Sequence, residues 1–264
     1  MIIHDRMYHP GNSFLIDKLK ENKYLFNHHF YGDHLNRRDR LSLFKRVFDK
    51  TNVILLSCEA QEHSYIYKRP SWIASPYFTH IKSKNSIYYT IFFEEALSGE
   101  VFYKKSFSKS NNKKQGIILI TSNNAKIARF KNEYSDIFSE IDLFGFFSRS
   151  VPENYKYIDS HDPLKTKNHM NDAQQLLSKY SATICLDNSF ESGYFQGSPM
   201  MPLYAGSVPI FNGQDYWKNF IKEDFIIELK KFSKLASQQQ SDEIKKVSEK
   251  IQSAEGNFFT DLTN

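Results

Sequence analysis

The spacing of apolar residues in this chain switches repeatedly between the period of a strand and that of a helix, and this alternation restricts the fold more than any other feature. Ile117 to Thr121 is a continuous apolar run. Ile127, Phe130, Tyr134, Ile137 and Phe138 then recur at helical spacing, and Ile141 to Phe144 returns to strand character before Gly145. Ala173, Leu176, Leu177 and Tyr180 mark another helix, Ala182 to Leu186 a strand, Pro199 to Ala205 a short helix, and Val208 to Phe211 a strand. Such alternation implies βαβ units, and so a parallel sheet covered on both faces.

Earlier in the chain, Leu41, Phe44, Val47 and Phe48 make one face of a helix after Asp39, Val53 to Leu56 is a buried strand, and Ile87 to Phe93 a second strand. Lys104 to Gly116 is polar, rich in Lys, Ser and Asn, and is the expected boundary between a domain at 1–110 and one at 117–264. From Glu228 to Ile251 a charged stretch carries Leu229, Phe232, Leu235, Ile244, Val247 and Ile251 as a helical face. It is expected to pack on the domain. A membrane-associating helix is the alternative, which its mixed Lys and Glu face suits poorly.

Composition narrows the function classes. With 264 residues, 40% hydrophobic and 16% aromatic, the chain has ample material for a core. A net charge of +5 suits an anionic small ligand or an anionic membrane surface, and does not by itself argue nucleic acid. Asn36 to Arg40 is better explained as a helix start with Asp39 as cap than as a nucleic-acid patch. Cys58 and Cys185 show no CxxC or Cys/His spacing, and His28, His29, Asp33 and His34 lack helical ligand spacing, so no metal is expected. Reduced cysteines and the lack of an apolar run near the roughly 18 residues that span a bilayer lead to an expected cytoplasmic protein, at most peripheral to the membrane.

The informative segment runs from Tyr180 to Gly213. Asp187, Asn188 and Ser189 follow a buried strand, where a parallel sheet offers its ligand crevice. Gly193 permits a tight turn. Ser198 is expected to cap a helix that starts at Pro199 and closes at Gly206, and helix starts suit phosphate. Asp187-Asn188-Ser189, Gly193-Tyr194, Ala205-Gly206-Ser207-Val208-Pro209-Ile210-Phe211 and Gly213 stand in the order and register of the donor-binding motif of glycosyltransferase family 10, the α1,3/α1,4-fucosyltransferases. The segment resembles that motif. Thr121-Ser122-Asn123 with Arg129 is similar to the family's Ser-Asn plus Arg element, Asp142 to Gly145 to its Asp-x-aromatic-Gly strand end, and Phe220-Ile221 with Asp224-Phe225 to its downstream segment.

The resemblance covers about residues 117 to 228. It implies an α/β chain of two Rossmann-like domains facing each other (GT-B type), here with a short N-terminal domain. It implies inverting transfer without metal or other cofactor. The donor is a nucleoside diphosphate sugar, by default GDP-fucose, and the acceptor a glycan such as a surface polysaccharide or lipopolysaccharide. Arg129 is the implied diphosphate ligand, with Ser122, Asn123, Asn188, Gly193, Tyr194 and Ser198 also at the donor. The family's acceptor-side glutamate falls best on Glu59, with Glu62 and His63 as neighbours. One departure is clear: Gln196-Gly197-Ser198 stands where the family has Thr-Glu-Lys. Either the donor is a different sugar nucleotide, or Lys126 or Lys131 supplies the missing cation, or the chain is an inactive carbohydrate- or nucleotide-binding relative.

Overall fold

The computed structural model describes residues 2–4, 14–25, 27–32, 37–48, 52–57, 77–79, 86–89, 115–121, 123–145, 156–157, 169–187, 189–195, 197–254 and 256–260. They fall in two compact units, Met1–Val101 with Ser189–Gln196, and Phe102–Asn188 with Gly197–Asn264. Each unit is built on its own wholly parallel sheet.

The first sheet has the order β1-β2-β3-β4-β5. Its strands are β1 (Ile2–His4), β2 (His29–Tyr31), β3 (Val53–Ser57), β4 (Tyr77–Thr79) and β5 (Ser86–Tyr88), with helices α1 (Phe14–Glu21) and α2 (Arg37–Phe48) before β2 and β3. β3 is buried along its whole length, as its unbroken Val-Ile-Leu-Leu run requires. Leu15 and Ile16 of α1 pack with Phe30, Ile54, Leu56 and Tyr89. Tyr31, one residue on and so on the opposite face of the strand, hydrogen-bonds Ser42 of α2 at 2.9 Å. Strands of only three residues give no readable period, which is why β1, β2 and β4 have no counterpart in the sequence reading. The expected strand from Ile87 begins at Ser86, and residues 90–100 lie outside the described set.

The second sheet has the order β11-β10-β9-β6-β7-β8. It runs through β6 (Gln115–Ile120), α3 (Asn124–Glu133), α4 (Ser135–Glu140), β7 (Ile141–Gly145), β8 (Lys156–Tyr157), α5 (His169–Leu177), β9 (Tyr180–Leu186), α6 (Met200–Ala205), β10 (Val208–Asn212), β11 (Ile227–Glu228), α7 (Leu229–Phe232) and α8 (Ser237–Ser253). Ile118, Phe144, Leu177, Tyr180 and Ala205 make one core cluster, to which Ile120, Leu176 and Met201 add.

Three local expectations change. The helix read through Ile127 and Phe138 is two, broken at Tyr134, whose φ of −137° and ψ of 51° leave the helical region. Ser198 does not cap α6: the helix starts at Met200, Pro199 precedes it, and no side chain caps it. Gly206 does close it, in the left-handed conformation (φ 69°) that glycine adopts without strain. The charged C-terminal stretch is not one helix but β11, α7 and α8. Leu229, Phe232, Val247 and Ile251 are buried, so α8 spends its apolar face on the domain. Among the described residues no helix is long and apolar enough to cross a membrane.

Candidate functional site

The chain lays β6, β7 and β8 outward in one direction, then returns to place β9, β10 and β11 on the other side of β6. The direction of winding reverses between β6 and β9, which pair in parallel from Gln115↔Tyr180 to Leu119↔Ile184. In doubly wound sheets the ligand crevice opens beyond the carboxyl ends of the two strands at this reversal. Thr121-Ser122-Asn123 follows β6, and Asp187-Asn188 follows β9. Thr121 and Asp187, which open two motifs some sixty residues apart in sequence, thus follow adjacent strands where the topology provides a crevice.

Lys126, in the first turn of α3, joins the two. Its Nζ donates to the carbonyl of Leu186, the last residue of β9, at 2.8 Å. Burial lowers its pKa; the Asp187 carboxylate opposes that and the Arg129 guanidinium adds to it. Arg129 lies one turn on along the same helix face, half-buried. Asn123 caps the helix: its Oδ1 accepts from the amides of Ala125 at 2.9 Å and Lys126 at 3.2 Å, so the side chain is engaged in starting α3.

Asp187 has no solvent exposure. Its amide donates to the Asn212 carbonyl at 3.1 Å, and its Oδ1 accepts from the Ser198 hydroxyl at 3.3 Å. Gly213 leaves room for it. A methyl group there would lie 2.8 Å from Asp187 Oδ2 and 2.4 Å from the Phe211 ring. That ring cannot easily give way, being buried and edge-on to Trp217 with centroids 6.2 Å apart. The result is a buried carboxylate and two partly buried cations at the end of an apolar sheet, an arrangement that needs compensating charge. Sequence reasoning named Asp187 only as part of its motif. Its burial, and the reason for Gly213, come from packing that no spacing rule displays.

The other sequence-derived residues distribute as follows. Gly193 and Tyr194 belong to the first unit. Gly193 is left-handed (φ 81°), and its carbonyl accepts from the Tyr88 hydroxyl at 3.0 Å. Tyr194 is 3% exposed, and its amide donates to the Glu191 carbonyl. Lys131 is turned to α4, with its ammonium 5.7 Å from the Phe138 ring centroid. Of the two cations considered as replacements for the missing lysine, Lys126 is therefore the one at the winding reversal. Ser122, Asn188, Gln196, Glu59, Glu62 and His63 lie outside the described residues, as do Asp33 and His34. Among the described residues no group of three or more His, Cys, Asp or Glu is placed to hold a metal ion. Cys185 is a buried free thiol whose pKa burial pushes far up, a small hydrophobe rather than a nucleophile.

A groove of about 620 Å³ lies elsewhere, between Gly116, Ile117 and Ser181 at the amino ends of β6 and β9 and the face of α8 carrying Gln240, Ser241 and Ser248. It is the wrong end of the sheet for the ligand of a doubly wound fold.

No protein-family model matches the chain, and no curated protein matches it in sequence. Solved structures do. A crystal structure of an alpha1,3-fucosyltransferase aligns with a TM-score of 0.55 at 10% identity, covering 97% of this chain and 80% of that one. An alpha1,3-fucosyltransferase with GDP-fucose aligns at 0.54 and 10% identity, covering 97% and 78%. One with GDP aligns at 0.54 and 11%, covering 97% and 77%. At such identities the likeness is one of fold.

Proposed function

We propose that this chain is an inverting, fucosyltransferase-like glycosyltransferase that takes a sugar from a nucleoside diphosphate donor, by default GDP-fucose, and places it on a glycan acceptor such as a surface polysaccharide or lipopolysaccharide. One observation carries the reading: the family-like motifs after β6 and β9 meet at the winding reversal of the second sheet, with Lys126 bonded to Leu186 and Arg129 one turn away. Neighbours of the same fold crystallised with GDP-fucose and with GDP support the choice of donor class.

In this reading the second unit binds the diphosphate and the first receives the acceptor. The acceptor hydroxyl oxygen attacks the anomeric carbon as its proton passes to the Glu59 carboxylate. The bond from that carbon to the β-phosphate oxygen breaks, and its electron pair leaves on the nucleoside diphosphate. Arg129 and Lys126 meet the charge that develops there, where a guanidinium and a partly desolvated ammonium interact strongly with phosphate. No metal is called for.

A second reading, an inactive nucleotide- or carbohydrate-binding relative, has a specific observation in its favour. Gly197 is left-handed (φ 81°), a conformation in which the family's glutamate would be strained. A glutamate at this position would be accommodated only with backbone strain or a change of the loop. Donor hydrolysis and transfer assays separate the two. The enzyme reading expects turnover that Glu59→Gln reduces by about a hundredfold or more, with donor affinity retained. Donor binding without any turnover in the wild type selects the inactive relative.

A further inference from the structure

Helix α2 (Arg37–Phe48) presents to solvent a face that the proposed transfer reaction does not use. Leu43 is fully buried, and Asp39, Ser42 and Arg46 are only half exposed, so the helix packs by that side. The opposite side holds Leu41, 65% exposed, and Phe44, 45% exposed. At about 100° per residue these two fall near the centre of the exposed arc. Arg40 lies beyond Phe44 on one flank, Lys45 and Arg38 beyond Leu41 on the other, and Arg37 between them at the helix start; all four are exposed. No acidic residue of the helix lies on this arc, since Asp39 is its one carboxylate and sits on the packed side.

We propose that this face of α2 is a docking surface for an anionic lipid bilayer. An apolar strip flanked by cations suits such an interface: Leu41 and Phe44 enter the acyl boundary while the basic side chains reach outward to the headgroups. The charge order argues for lipid over nucleic acid. A phosphodiester backbone would meet the centre of the face, where two large apolar side chains would be left in water, whereas a bilayer takes both. Helix α8 provides the contrast. Its apolar residues Val247 and Ile251 are buried in the domain, and its exposed side carries neutralised pairs such as Lys246–Glu243 at 3.3 Å.

The test is co-sedimentation of the full chain with vesicles of phosphatidylcholine alone, and with about 30 mol% phosphatidylglycerol added. The expected result is binding to the anionic vesicles, weakened by salt, and little to the neutral ones. Leu41→Ser with Phe44→Ser should lower partitioning tenfold or more, and Arg38→Gln or Lys45→Gln about fivefold each. Arg38 and Lys45 are exposed, so their variants should melt like the wild type, and the Leu41→Ser/Phe44→Ser variant, with Phe44 45% exposed, is compared at a temperature at which its circular dichroism matches the wild type. Lys245→Gln on α8 should leave partitioning unchanged. A wild type that binds neither vesicle, or both equally, overturns the proposal. So does a Leu41→Ser/Phe44→Ser variant that partitions like the wild type, or a wild type that prefers duplex DNA to anionic vesicles.

Discussion

The two ends of the second sheet differ in what they offer a ligand. The amino end has a groove of about 620 Å³ under α8, where Ser181, Gln240, Ser241 and Ser248 stand among the charged Glu140, Lys245 and Glu249. The carboxyl end at β6 and β9 has a buried aspartate, a lysine bonded to a strand carbonyl and a half-buried arginine. The burial of the charges separates the two ends. The charged side chains of the groove, Glu140, Lys245 and Glu249, are exposed, and water solvates them at little cost. Charges held at the end of an apolar sheet are expensive to maintain without a purpose, and such residues mark sites more reliably than space does.

Arg129→Ala should have the largest effect at the carboxyl end. Removing a charged partner of the diphosphate is expected to weaken nucleotide binding by about 1.5–3 kcal/mol, with the melting temperature little changed. Calorimetric titration with GDP measures it, and unchanged affinity removes Arg129 from the site. Gly213→Ala should act on stability instead. Its methyl would collide with the Phe211 ring and Asp187 Oδ2, an overpacking that costs about 1–3 kcal/mol in chemical denaturation. A neutral result would mean that Phe211 moves freely, and that the buried carboxylate is held less tightly than its contacts indicate. Ser241→Trp, which fills the amino-end groove, should leave GDP affinity unchanged. A clear loss there would reverse the assignment of the two ends.

The sequence carried the second unit far better than the first. β6, β7, β9 and β10 are five to seven residues long and mainly apolar, and their positions follow from the pattern. β8 and β11 have two residues each, and β1, β2, β4 and β5 three, too few for a period to show. Strand order was not legible either. That β9 lies beside β6 rather than beyond β8 is a tertiary fact, and it is what brings Lys126 to Leu186. Arg129 was named from its motif, Lys126 only as one of two replacement cations, and the structure separates them by giving Lys131 to Phe138. Asn123 was expected at the donor, and its side chain is found starting α3. Ser198 was expected to cap a helix, and it bonds Asp187 because the chain turns one residue later than the Ser-Pro pair suggests.

On the proposed reading the crevice at β6 and β9 holds a nucleoside diphosphate, and Lys126 supplies the cation absent from Gln196-Gly197-Ser198. Calorimetric titration of GDP and of guanosine into the wild type and into Lys126→Met tests it most directly. The wild type should bind GDP at least tenfold more tightly than guanosine, and Lys126→Met should lose most of that difference while keeping its fold. Equal affinity of the wild type for GDP and guanosine, or a Lys126→Met variant that binds GDP as the wild type does, would contradict it.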